Sequence, residues 1–313
     1  MPRAILIGRS SPRCFREYLS RMKRTATCLW TLALLLPVSA AVAADDTPSG
    51  VPVTVRPSIE LGFLDIPFHT LQFGEGTDTF DYVQEGGQEI LFPYRRLRID
   101  IGLGRRQRHH LSLLYQPLTI ETESRFVEER RIDTVTFDAG QAVRMVYGFD
   151  FWRGSWVYRI VDSPDWEVDA GLSFQIRNAS IRFAAQEGDE LVVSQDTGPV
   201  PVLRARSRRS FAAGWWLEAE VDGFYATNAF VNGAEYPFTG WIWDAAASAG
   251  LPIHERTEAF LTVRSIGGGA EGTADEAPKV WTQSRRGGDE RYTSNAIVTW
   301  ALAAGFRLSL GPQ

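Results

Sequence analysis

The chain has 313 residues, two cysteines and a formal net charge of −5. That balance excludes the broad basic surface of a nucleic-acid binder. Cys14 and Cys28 both precede the cleavage point read below, so the exported part holds itself together without disulfides.

The first segment reads as an export signal. Met22-Lys23-Arg24 is a short basic region, Cys28–Leu36 an apolar core of signal-peptide length, and Ala41-Val42-Ala43 a small-x-small cleavage site before Ala44. The expected organisation is an upstream leader or start artefact over 1–21, a signal peptide over 22–43, and one barrel domain over 44–313. The apolar run is too short for an anchor helix. No later stretch reaches the roughly 18 apolar residues of a helical span. Ten Trp, 9 Tyr, 18 Phe and 28 Gly, with breaks rich in Gly, Asp, Pro and Ser, point to an all-β chain.

Ten strands are predicted, each with alternating faces. The first, 53–66, sets Ile59, Leu61 and Phe63 against Ser58, Glu60 and Gly62. The second, 90–103, sets Leu97, Ile99 and Ile101 against Arg96, Arg98 and Asp100. A turn at Gly104–Arg108 leads to the third, 109–122. The fourth, 141–161, places Val143, Met145, Tyr147, Phe149 and Phe151 on one face and Arg144 and Asp150 on the other, with a bulge expected near Arg153-Gly154. The fifth, 166–183, is the clearest: Trp166, Val168, Ala170, Leu172, Phe174 and Ile176 alternate with Glu167, Asp169, Gly171, Ser173, Gln175 and Arg177. Successive side chains of a strand point to opposite faces, so this segment has one apolar and one polar side.

The sixth, 199–207, has the weakest pattern. The seventh, 213–227, sets Trp215, Leu217, Ala219 and Val221 against Trp216, Glu218, Glu220 and Asp222. The eighth, 238–251, carries Trp241 and Trp243 opposite Asp244, and the ninth, 258–266, contains Arg264. The tenth, 292–310, sets Trp300, Leu302, Phe306 and Leu308 against Ala301, Ala303, Gly305 and Arg307.

The connections alternate. Those after even-numbered strands are short; those after odd-numbered strands are long (67–89, 123–140, 184–198, 228–237 and 267–291). That rhythm, with even strand number, is the mark of a bacterial outer-membrane barrel of Gram-negative type. The fold expected is an all-β, antiparallel up-and-down transmembrane β-barrel of ten strands, with eight or twelve as alternatives. A soluble barrel would turn its polar face to water. Here that face is crowded with Gly, Ala and Ser, such as Gly171, Ala246, Ala301 and Ala303, as an enclosed space requires.

With the apolar face toward lipid, the lumen receives a mixed set of charges. They are Glu60, Arg96, Arg98, Asp100, Arg144, Asp150, Glu167, Asp169, Arg177, Glu218, Glu220, Asp222, Asp244, Arg264 and Arg307. In a narrow barrel such charges pair or are wetted. Two readings stay open: a salt-bridged structural core, or a polar conduit with Glu218, Glu220 and Asp222 as its selectivity element. Of the four histidines, His109, His110 and His254 fall at short turns. His69 lies in a long connection and is expected to be solvated. No nucleophile–base pair, phosphate loop or spaced calcium ligand set is legible, so no catalytic, cofactor or metal residue is assigned. Gly267-Gly268-Gly269 is expected to open a flexible loop.

Several segments carry a resemblance. These are Leu111-Ser-Leu-Leu-Tyr115-Gln-Pro117-Leu118, Trp156-Val-Tyr-Arg159, Asp162-Ser-Pro-Asp-Trp166-Glu-Val168, and Arg264-Ser-Ile-Gly-Gly-Gly269. They resemble bacterial outer-membrane β-barrel proteins of no assigned activity. One departure is the end of the chain, Leu308-Ser-Leu310-Gly-Pro-Gln313, where such barrels close on an aromatic residue. The resemblance implies location and fold and no activity. The expectations are export across the inner membrane, insertion by the barrel-assembly machinery, and contact with outer-membrane lipid and lipopolysaccharide. No nucleic acid or cofactor is expected. The role expected is structural or small-solute, with a closed or narrowly gated polar lumen; surface-loop binding or adhesion is the alternative, and an outer-membrane hydrolase a third, less favoured one.

Overall fold

The computed structural model describes residues 52–74, 77–227, 238–273, 284–286 and 292–311. The expected leader, the signal peptide and the 228–237 connection lie outside them, as do the acidic pairs Asp275-Glu276 and Asp289-Glu290. Ten long strands form the wall. They are β1 (Val53–Phe73), β2 (Phe92–Leu103), β3 (His109–Gln116, resumed as Thr119–Arg125), β4 (Ala142–Asp162), β5 (Trp166–Ala185), β6 (Leu191–Ser210), β7 (Trp216–Thr227), β8 (Phe238–His254), β9 (Thr257–Thr273) and β10 (Tyr292–Leu308). Each pairs antiparallel with the next, β10 returns to β1, and the ring is complete through β6–β7. Closure removes the unpaired edges of an open sheet.

Alternation decides the faces. Outward residues such as Leu61, Leu113, Leu172, Val221, Leu261 and Leu302 are exposed and form an apolar belt. Their inward neighbours are buried and charged or small. Trp241 and Trp243 lie outside on β8, and their rings cover Gly267 and Gly269 of β9. A Cβ at either glycine would lie within 2.5 Å of an indole. These glycines therefore stand within a strand as seats for aromatic rings, not at the opening of a flexible loop.

Four strands of 20 or 21 residues, β1, β4, β5 and β6, run to about twice the 9–11 residues of a bilayer crossing. The connection expected at 184–198 is mostly strand, and the sixth strand is as long as the fifth. Beyond the belt these strands enclose a second interior. Leu64, Ile66, Leu71 and Phe73 of β1, Val143, Met145 and Tyr147 of β4, and Ile181 and Phe183 of β5 form its walls. The segment after β1 folds into this mouth. Phe80-Asp81 pairs with Leu71 and Thr70, and Tyr82 N–H donates to the His69 carbonyl at 2.9 Å. A hairpin of Arg130–Ile132 and Val135–Phe137 adds Ile132 and Phe137 to the same core.

β4 corrects one expectation. Its odd residues point inward over its whole length, from Val143 through Tyr147 to Arg153, Ser155 and Arg159. There is no bulge at Arg153-Gly154; the register shift falls between Arg159 and Val161. What changes along β4 is the surroundings. Inside the mouth, apolar side chains face in. Within the belt, Trp152 and Trp156 face out and the arginines face in.

Candidate functional site

The lumen within the belt is filled by ion pairs that reach from wall to wall. Asp244 of β8 sits at their centre. It accepts from Arg96 of β2 at 2.9 Å, Arg153 of β4 at 2.9 Å and Arg264 of β9 at 2.6 Å. Asp222 of β7 takes Arg153 and Arg204, each at 3.0 Å. Glu220 pairs with Arg98, with Arg204 at 3.2 Å and with Arg264 at 3.4 Å. Glu218 takes Arg307 at 2.9 Å and stands 3.8 Å from Arg98, Arg206 and Arg208. Glu60 reaches Arg264 at 3.5 Å, and Asp100 meets Arg98 at 3.0 Å. Glu167 and Asp169 hold Arg159 at 2.7 and 3.0 Å. The guanidinium fork lets one arginine serve several carboxylates, which is what a crowded mixed-sign interior requires.

The near end of the lumen is stoppered by Trp216, which is 1% exposed. Arg208 stacks on its ring at 4.2 Å and Arg307 at 5.2 Å from the centroid.

Twelve of the fifteen residues assigned to the lumen from sequence belong to this network. Arg177 faces inward above it, stacked on Phe149 at 5.2 Å. Arg144 and Asp150 are corrections, because they stand on the outer side. Arg144 is exposed and pairs with Glu121, while Asp150 accepts from the Leu118 backbone N–H at 2.7 Å at the break in β3. Both were misplaced because the apolar face of β4 was taken to meet lipid throughout, whereas in the mouth it faces the core.

The same inference hid Arg153 and Arg159. The weak pattern of the sixth strand hid Arg204, Arg206 and Arg208. A signal was nevertheless present: Arg204-x-Arg206-x-Arg208 mirrors Glu218-x-Glu220-x-Asp222 across a short turn. The structure pairs Arg204 with Asp222, Arg206 with Glu220 and Arg208 with Glu218.

His69 is not solvated. It is fully buried in the mouth, lying 4.2 Å from both Tyr82 and Tyr147, and its Nδ1 meets Gln88 Oε1 at 2.8 Å. It lies past the β1 bulge between Asp65 and Phe68, outside the belt. Burial lowers its pKa to about 3, so the imidazole is neutral. Burial likewise raises the phenols of Tyr82 and Tyr147. Among the described residues no group of three or more His, Cys, Asp or Glu is arranged to hold a metal ion.

Fold and lumen together define a closed ten-strand antiparallel barrel with an apolar exterior, a salt-bridged interior and an apolar mouth. No protein-family model and no curated protein sequence matches the chain. Solved structures similar to it include the outer-membrane protease OmpT from Escherichia coli, at 11% identity, covering 85% of this chain and 99% of that one, with a TM-score of 0.41. The toluene transporter TodX from P. putida is 7% identical over 85% and 92% of the two chains, with a TM-score of 0.31. A Pseudomonas aeruginosa FadL homologue is 8% identical over 82% and 89%, also at 0.31.

Proposed function

We propose that this chain is a bacterial outer-membrane barrel whose lumen is closed, so that it acts as a non-conducting, non-enzymatic structural or binding protein of the membrane. The observation that carries the reading is the set of bonds crossing the lumen from β2 and β4 to β7 and β8, centred on Asp244. A conduit for solutes needs lining charges that water and ions can reach. Here Arg96, Arg153, Asp222 and Asp244 are at most 1% exposed, and they bond to one another and to Gln116, Gln175, Arg204 and Arg264.

The exposed apolar belt supports the membrane location, because a soluble protein seldom leaves such a continuous band in water. Lipid and lipopolysaccharide are then its surroundings, reached through export and the barrel-assembly machinery. Steady conductance in planar bilayers with the refolded mature chain is the test. Electrical silence is expected, and stepwise, voltage-stable currents would overturn the closed-lumen reading.

A further inference from the structure

The short turn between β2 and β3 reads Gly104-Arg105-Arg106-Gln107-Arg108, with three arginines and no acid. It stands at the end of the barrel where the described chain enters β1 and leaves β10, an end marked by the bridge of Val55 to Leu310. Among the described residues the other short turns at this end hold no such surplus. Phe211–Trp215 carries no charge, and Glu255-Arg256 carries one of each sign. Residues 162–165 are acidic, and Asp165 stands 3.6 Å from Arg209. Arg105, Arg106 and Arg108 are all exposed. None of the three forms an ion pair with a described carboxylate.

The turn is held in one shape. Gly104 takes a φ of 85° and Gln107 one of 42°, both in the left-handed region. Gln107 N–H donates to the Gly104 carbonyl at 3.0 Å, and Gly104 N–H to the Pro52 carbonyl at 2.9 Å. The Gln107 amide donates to the Oγ1 of buried Thr54, so the one neutral polar residue of the turn is tied to the wall. Beside the turn, His109 stands exposed on β3. Its ring lies 6.0 Å from Trp156, nearly parallel, and 5.2 Å from Tyr158, edge-on. Arg108 Nη1 donates to the Tyr158 hydroxyl at 3.4 Å. Further along the same face of β3 and β4 come Leu111, Leu113, Trp156 and Trp152, all exposed. One strip of wall thus runs from three cations, through a phenol and an imidazole, to bare hydrocarbon.

On the reading of the chain as a membrane barrel, we propose that this strip binds an anionic phospholipid, its phosphate at Arg105, Arg106 and Arg108 and its acyl chains along Leu111, Leu113 and Trp152. The occupant follows from the order of the chemistry. The short turns of such barrels lie at the periplasmic face, level with the headgroups of the inner leaflet. A guanidinium offers several planar donors to phosphate oxygens. Each cation close to an anionic lipid surface strengthens binding by roughly fivefold. The Tyr158 oxygen accepts from Arg108, which leaves its own O–H to donate to the same headgroup. A turn already fixed in shape loses little freedom on binding. A soluble anion would use the arginines alone, whereas a lipid uses the arginines and the apolar wall together. A zwitterionic headgroup would bring its own cation against the arginines.

Native mass spectrometry tests this. The mature chain is refolded in detergent micelles holding equal amounts of phosphatidylglycerol and phosphatidylcholine with the same acyl chains, and the lipids it retains are counted. Phosphatidylglycerol is expected to exceed phosphatidylcholine by on the order of tenfold or more. The triple change Arg105→Gln, Arg106→Gln and Arg108→Gln is expected to bring the two to parity. If that variant fails to give the heat-modifiable folded band on a gel, Arg106→Gln alone is measured, with a fall of roughly fivefold expected. Tyr158→Phe keeps every charge and removes one hydrogen bond, so a fall of roughly threefold is expected. Arg144→Gln, at the far end of the barrel, is expected to leave the ratio unchanged. Parity in the unaltered chain would overturn the headgroup site while leaving the membrane barrel intact. A preference that survives the arginine changes, that Tyr158→Phe does not move, or that Arg144→Gln lowers as much would overturn it too. Retention of neither lipid would instead refute the membrane reading itself.

Discussion

The two interiors of this barrel are built on opposite principles. Within the belt the lumen is packed with arginines and carboxylates, because the outer face must be apolar and the inner positions inherit every polar residue. In the mouth the wall stands clear of the belt, and the inside is an ordinary hydrophobic core of Leu71, Phe80, Tyr82, Phe183 and their neighbours. The charged interior is wired across the barrel, so losing one member strands several others. The apolar interior is held by area and shape, so damage there is graded and local.

That contrast can be broken at several strengths. The largest effect is expected from Asp244→Ala, which leaves Arg96, Arg153 and Arg264 without their shared acceptor. Breaking a buried pair from one side costs about 3–5 kcal/mol. Urea unfolding of the refolded barrel should show a loss of that order, and an unchanged midpoint would mean that the network contributes little. Next, Leu172→Arg puts a charge on the outer face of β5, where 58% of the residue is exposed. The expected loss in vesicles is roughly 2–4 kcal/mol, and it should vanish if the belt does not meet lipid.

His69 gives a pH-dependent probe of the mouth. Its folded pKa is lowered to about 3 from 6.5, so the mouth keeps its full stability above pH 6.5. Stability then falls as the pH drops from 6.5 toward 3, by up to about 1.4 kcal/mol per unit. The protection of the Tyr82 amide against hydrogen exchange, taken relative to the intrinsic exchange rate at each pH, should be lower at pH 5 than at pH 7. The replacement His69→Phe should remove most of that difference. The smallest effect belongs to the exposed pair of Arg144 and Glu121, whose side chains are 45% and 46% exposed. Glu121→Gln should change the unfolding midpoint by less than about 1 kcal/mol, with any change screened at 1 M salt.

The sequence made one of these two interiors easy to read. Period-two alternation over ten runs, with short and long connections in turn, specified an antiparallel barrel with Glu60, Arg98, Glu220 and Asp244 inside. That reading agrees with the closed ten-strand ring. The mouth was illegible for a physical reason. The alternation of Val143, Met145 and Tyr147 says which residues share a face, but not whether that face meets lipid or a protein core. The segment 67–89 read as a long connection with a solvated His69, and nothing in its pattern marks a second pairing with β1. Only the fold shows Phe80 and Tyr82 turned inward onto Phe183. The same ambiguity sent Arg144 and Asp150 to the wrong side and made a bulge of Arg153, which is simply the next inward residue.

The pairing of Arg204, Arg206 and Arg208 with Asp222, Glu220 and Glu218 also bears on how the barrel finds its size. Sliding one strand past its neighbour by a single residue turns every side chain to the wrong face, and the hydrophobic pattern forbids it. A slide by two residues keeps all faces correct and escapes that test, yet it changes the stagger of the ring and hence its diameter and tilt. Such a slide would leave Arg208 facing Trp216, and Asp222 facing Val202. Asp222 would lose its cross-strand arginine in a confined space, and Arg208 its cross-strand glutamate. The charge triplets therefore act as a key read during closure, selecting one stagger among those that greasiness alone would accept.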